Sequence, residues 1–274
     1  MTPISTNTCT SAWLQACAHL EQTSHWRDYN VILEIASPMT LPPNEKLVYG
    51  IFDQFLAERA DMRISTVINT IFPATLYVRH GADGIFKRYR EMWPALKEHQ
   101  HVKGRWGTYA HRITESRDAA GATFNPLKDV IDKLKKQLAS SSTLRAAYEL
   151  NPFDPFLNIP IYRGASDKGY TMGGPCLSHL SFKLTADHRL MLTAFYRSHY
   201  YLQRALGNLF GLAWLQFFVA REVGIEPASL ICHSSMACLD TMSKKGEISG
   251  WNSGDVTTLL RRCVAALDAE AAPK

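Results

Sequence analysis

From Tyr201 to Val223 the chain is apolar on every side of a helical wheel: Leu206, Leu209, Phe210, Leu212, Trp214, Leu215, Phe217, Phe218 and Val219 leave no face for water. A helix without a polar face must be enclosed by other elements, so the rest of the chain has to supply layers around it. Gly207 and Gly211 allow another element to pack closely against it. Asn208 and Gln216 interrupt the run from Leu206 to Ala220, and no stretch of the chain approaches the roughly eighteen apolar residues of a membrane span.

The enclosing elements are legible in part. Asn125 followed by Pro126 starts a helix in which Leu127, Val130, Ile131, Leu134 and Leu138 share one face, with lysines opposite and a stop at Ser140 to Ser142. Thr143 to Leu150 reads as a strand, and the proline-rich stretch from Asn151 to Met172 as a long connection. Leu177–Leu184 and Arg189–Tyr196 form a hairpin around Thr185 to His188; the second run is apolar on both faces and reads as a central strand. Ser229–Leu239 reads as a further buried strand and Val256–Ala269 as a terminal helix. The fold class expected is therefore α/β (α+β), a mixed β-sheet flanked by helices around a long buried central helix.

At 274 residues and 46% hydrophobic content, the chain can bury a full core as one domain or two small ones. A net charge of +5 and a pI near 8.8 suit an anionic small substrate but fall short of a nucleic-acid footprint. The six cysteines (Cys9, Cys17, Cys176, Cys232, Cys238, Cys263) include no CxxC pair and no histidine at finger spacing, which argues against zinc and against a disulfide framework. No metal is expected. The first thirty residues lack the pattern of a secretory signal, because Gln15 and His19 break the apolar stretch Trp13–Leu20; a cytoplasmic location is expected.

Three short segments carry chemistry. In Gly174-Pro175-Cys176-Leu177 a cysteine stands where a loop passes into a strand; it reads either as a reactive thiol, activated by a nearby guanidinium, or as a small buried hydrophobe. Arg197-Ser198, after Tyr196, suits a phosphate or a surface ion pair. Asn208, inside the apolar helix, must find partners or cost about 1–3 kcal/mol. Its amide matches the O4/N3–H edge of a uracil, and a neighbouring backbone carbonyl would satisfy it equally.

In order and spacing these segments resemble the thymidylate synthase superfamily, which includes the pyrimidine-nucleotide hydroxymethylases. There a Pro-Cys provides the nucleophile, an Arg-Ser some twenty residues on holds the substrate phosphate, and an Asn eleven residues past that Arg reads the pyrimidine; here 208 − 197 = 11. Pro-Cys-Leu followed by Arg-Ser-His is closer to the archaeal and hydroxymethylase-like branch. Arg145 resembles one of two arginines that each subunit lends to its neighbour's phosphate site, with Leu144 in place of the other. Tyr109-Ala110-His111-Arg112-Ile113 is similar to the segment whose tyrosine joins a proton relay, and Arg63-Ile64-Ser65-Thr66 to an N-terminal phosphate segment. The resemblance is strongest over residues 143–240, weaker over 63–113, and absent from 1–60, a divergent N-terminal portion, and from 241–274.

Departures are as specific. Tyr200 stands where the family has an Asp that bonds the folate pterin, and Arg204 replaces a glycine. Cys238 and Asp240 replace a His-x-Tyr pair on the sugar hydroxyl, which makes a ribose a candidate alongside deoxyribose. Glu91 is the nearest candidate for the catalytic glutamate, the alternative being a solvated helix charge. The resemblance implies a homodimer with composite sites, a pyrimidine nucleoside monophosphate substrate, 5,10-methylenetetrahydrofolate as donor, and methyl or hydroxymethyl transfer to C5 through a Cys176–C6 adduct. The rival class is a nucleotide-binding relative that no longer uses folate.

Overall fold

The computed structural model describes residues 1–99, 102, 106–117, 120–140, 149–150, 167–169, 174–242 and 250–269. In chain order the elements are β1 (Thr2–Thr6), α1 (Cys9–Glu21), β2 (Arg27–Ile35), α2 (Pro43–Glu58), α3 (Ile64–Ile71), α4 (Ala74–Asp83), α5 (Tyr89–Leu96) and α6 (Tyr109–Thr114). There follow the short pair β3 (Ser116–Arg117) and β4 (Thr123–Phe124), then α7 (Pro126–Leu138), β5 (Glu149–Leu150), β6 (Leu177–Leu184) and β7 (Leu190–Tyr196). The chain ends with β8 (His199–Tyr200), a π turn (Tyr201–Ala205), α8 (Leu206–Val223), β9 (Pro227–Cys238) and α9 (Ser253–Asp268).

The fold is mixed α/β. One sheet runs β1-β2-β9-β7-β6-β5, with β8 also pairing β9. β1 is parallel to β2 and β7 to β9, while β2–β9, β7–β6 and β6–β5 are antiparallel. The strand expected over Thr143–Leu150 is described only at Glu149–Leu150; residues 141–148 lie outside the described set. Residues 1–60, for which sequence offered no resemblance, place β1 and β2 in the same sheet as the hairpin. Among the described residues no helix is long and apolar enough to cross a membrane.

α8 is enclosed as its composition demands. It packs on β7 and β9, and α1, α3, α4 and α7 surround the rest of it. Its glycines set the α3 contact: a Cβ on Gly207 would lie 2.5 Å from Val67 Cβ, and one on Gly211 2.6 Å from Ile71 Cβ, both inside van der Waals contact. Gln216 is buried, and its amide nitrogen lies 2.8, 3.0 and 3.1 Å from the carbonyls of Leu190, Ala228 and Ser229. It thereby stitches the starts of β7 and β9 to the helix. Trp13 of α1 donates its indole N–H to the Tyr201 carbonyl at 2.7 Å, satisfying the turn that precedes α8.

The three central strands break at one level. β2 skips a ladder pair at Asn30, which has a left-handed φ of 55°. On β9 the matching position is Ser235, and on the other side β7 stops at Tyr196 and β8 resumes at His199, so Arg197 and Ser198 leave the ladder. Below the break, the even residues Leu190, Leu192, Ala194 and Tyr196 face the helices; above it, the buried residue is His199. An aligned interruption of this kind re-aims side chains without slipping register.

The close α3–α8 approach is testable. Gly211→Ala is expected to destabilise the protein by about 1–3 kcal/mol in urea unfolding. Combined with Ile71→Gly, it should cost less than the sum of the two single changes, because removing the Ile71 Cβ leaves room for the methyl group. Strict additivity would show that the two positions do not meet.

Candidate active site

β7 and β9 are parallel neighbours, and the ends of such strands are where an open sheet leaves a crevice for ligands. The break after Tyr196 and the start of β6 bring the sequence candidates to that end. The Arg197 backbone N–H donates to the Cys176 carbonyl at 3.0 Å, and its Nε donates to the Pro175 carbonyl at 3.0 Å. Arg197 is exposed and Ser198 half-exposed, as expected of residues outside the ladder.

Cys176 alone of the six cysteines is not buried. Its N–H and that of Leu177 both donate to the Tyr109 hydroxyl oxygen, at 2.7 and 3.0 Å. Partial burial raises the thiol pKa, and the guanidinium groups of Arg197 and Arg204 oppose that rise. Burial prevails, so the thiol is protonated at neutral pH. Tyr200 is 43% exposed. Its hydroxyl pKa is raised by burial and by Cys238, Cys176 and Asp240, and lowered by Arg27.

Arg27 was not read from sequence as a site residue. It is exposed at the first position of β2 and pairs in register with Cys238, so it brings a guanidinium to the end of β9. Only the antiparallel β2–β9 pairing carries it there, and residue spacing holds no trace of a contact across 211 positions (238 − 27).

Two candidates are turned inward. Asp240 Oδ1 accepts from the Leu202 N–H at 2.9 Å, capping the π turn, and the carboxylate is turned inward. Burial raises its pKa. Contact with a sugar hydroxyl would require this carboxylate to open outward. Cys238 is nearly enclosed, with burial, then Asp240, pushing its pKa up to about 12 against the opposing Arg27.

Asn208 is 5% exposed, and its amide nitrogen lies 3.1 Å from His199 Nε2. With that nitrogen donating, Nε2 accepts, and Nδ1 carries the proton toward Ser234 Oγ at 3.0 Å. The His199 ring stacks on Tyr196 with centroids 4.0 Å apart, and Tyr201 reaches Ser234 at 3.4 Å. The partner is thus a histidine nine residues earlier rather than a backbone carbonyl. The Asn208 carbonyl oxygen makes no hydrogen bond among the described residues.

The other candidates have the following surroundings. Arg63 forms an ion pair with Asp53 at 2.8 Å and lines a cavity of about 450 Å³ with Tyr49, Gln54 and Glu58. A second cavity, of about 400 Å³, lies beside Trp26, Leu239 and Ser253. Glu91 is exposed in the first turn of α5, the position of a solvated helix charge. Arg145 lies outside the described residues. No group of three metal-ligating side chains occurs among the described residues. Compared with protein-family models and with curated proteins, the chain matches none.

Burial lowers the His199 pKa from 6.5 to about 3, so the native state excludes a proton that the unfolded chain binds below pH 6.5. The stability this neutral ring contributes is complete above pH 6.5 and is lost as pH falls, by about 1.4 kcal/mol per unit between those values. His199→Gln, which does not titrate, should be less stable than wild type at neutral pH, and the gap should narrow on acidification. A gap that stays constant between pH 7 and about pH 4 would contradict a buried neutral imidazole.

Proposed function

We propose that the chain is a thymidylate-synthase-like C5 one-carbon transferase acting on a pyrimidine nucleoside monophosphate. The observation that carries this reading is the placement of Cys176: a half-buried thiol at a strand start, its peptide held on both sides, with Arg197 and Arg204 acting on its charge. A phosphate gripped by Arg197 and Ser198 would fix the ring over the sulfur, so remote binding energy serves the reacting centre. Arg27, opposite Cys238, adds a positive charge at the end of β9.

In the reaction, Cys176 loses its proton and its sulfur bonds to C6. The thiol proton passes to water, the C5–C6 π electrons shift toward C4 and O4 as an enolate, and C5 then attacks a carbon–heteroatom double bond of a one-carbon electrophile, whose π pair passes to the heteroatom. Release of the C5 proton and expulsion of the thiolate restore the C5–C6 double bond. The carbonyl oxygen of Asn208, without a hydrogen bond among the described residues, supports a uracil-type ring, whose N3–H needs an acceptor. Methylenetetrahydrofolate, when bound, supplies a one-carbon unit at the formaldehyde oxidation level. Tyr200 offers a stacking face but not the carboxylate of the family's pterin contact, and Arg204 fills room that a glycine would leave. The residues present therefore do not reproduce that contact, and no step above depends on it.

The same two residues favour a second reading, a nucleotide-binding relative without folate chemistry. Tritium release from C5 separates the two. The transferase reading expects release from at least one of dUMP, UMP, dCMP and CMP with methylenetetrahydrofolate, and a loss of about 10³-fold or more in Cys176→Ser. Nucleotide binding with no release from any of the four would support the second reading instead.

The proposal includes a homodimer whose partner copy contributes Arg145. It is supported by the sheet face opposite the helices, where Met191, Thr193 and Phe195 of β7 and Ile231 and His233 of β9 stay half-exposed. Light scattering should give a dimer for wild type and a monomer for Phe195→Asp, since a charge buried in such an interface is unpaired. A monomeric wild type would remove the composite site from the proposal.

A further inference from the structure

Tyr109 is placed to do something other than relay a proton. Its oxygen accepts from two backbone donors, Cys176 N at 2.7 Å and Leu177 N at 3.0 Å. A phenolic oxygen has two lone pairs, so both are engaged, and what remains is its own O–H, a donor. A hydroxyl in that state has no lone pair with which to take a proton from C5 of a ring. It holds the amino side of the Cys176 peptide, while the Arg197 N–H holds the carbonyl side at 3.0 Å.

The phenol is held in turn from behind. Thr108 caps α6 by accepting from the His111 N–H at 3.2 Å, and its hydroxyl lies 2.8 Å from the Tyr89 hydroxyl. The His111 ring lies against Trp93 at 3.8 Å with an interplanar angle of 10°. Arg112 binds both oxygens of Asp167, at 2.6 and 2.9 Å, and Asp167 is 1% exposed. Arg112 also donates to the Trp106 carbonyl at 3.2 Å, and the Trp106 ring lies 4.5 Å from that of Tyr109. A helix of six residues is too short to be stable alone, so these contacts decide where its tyrosine points.

We propose that Tyr109 is a positioning residue: backed by the buried Arg112–Asp167 pair, it aims the Cys176 thiol and accepts no proton. The proposal concerns the thiol used in the proposed function, but its test needs no substrate, so either can fail without the other.

In the wild-type protein, hydrogen exchange should show the Cys176 and Leu177 amides protected. Tyr109→Phe keeps the ring against Trp106 and removes the acceptor; exchange at both amides should quicken by about tenfold or more, the effect of losing a hydrogen bond worth about 1.4 kcal/mol. Among the described residues, the charged and titratable groups that act on the thiol are Arg197 and Arg204, and it acts in turn on Tyr109, Tyr196 and Tyr200. Freed from its bracket, the thiol gains water, so its alkylation by iodoacetamide should shift to lower pH and run faster near neutrality. The other five cysteines should stay unmodified.

A relay residue behaves differently: its loss would lower turnover and leave exchange and alkylation unchanged. That result, or unprotected Cys176 and Leu177 amides in wild type, overturns the proposal. Should Tyr109→Phe not fold, Asp167→Asn keeps one oxygen for Arg112 and should move both readouts the same way by a smaller amount; no movement is equally decisive.

Discussion

Enclosing α8 (Leu206–Val223) is the constraint from which the rest of the structure follows. A helix with no polar face has to be surrounded, and here the sheet lies on one side and helices on the others. Its two buried amides then fix what lies against it. Gln216 holds the starts of β7 and β9 at one end, and Asn208 meets His199, on the strand that continues β7, at the other. An unpaired amide in such a place costs about 1–3 kcal/mol, so these polar groups specify register where apolar packing alone would tolerate a slip.

Local signals in the sequence were reliable wherever one element decided the outcome. The helix expected after Asn125 is α7, and Asn125 caps it by accepting from the Lys128 N–H. The hairpin expected over Leu177–Tyr196 is β6 and β7, and the glycines of α8 meet α3 as their size implied. What spacing did not hold was any contact made across the sheet. Arg27 meets Cys238 only because β2 pairs with β9, and Arg63 forms its ion pair with Asp53 of α2, ten residues earlier. Asn208, a polar group inside an apolar helix, needs a partner, and its amide nitrogen meets His199 rather than a carbonyl, a pairing that residue types alone do not single out.

The candidate site combines opposing influences on one sulfur. Burial holds the Cys176 thiol in its neutral form, while Arg197 and Arg204 favour the thiolate. A thiol in that balance is protected from casual oxidation, and desolvation makes it a strong nucleophile once the proton is removed. The hydrogen bonds around its peptide fix the backbone from which the thiol projects.

The matched interruption at Asn30, Ser235 and Arg197–Ser198 has a consequence for how this sheet can vary. Each strand is in phase with its neighbours on both sides of the break, so inserting or deleting one residue in a single strand would reverse inside and outside for everything beyond it. Length changes at this level are therefore confined to the loops, and the three strands can evolve there only by substitution or in concert.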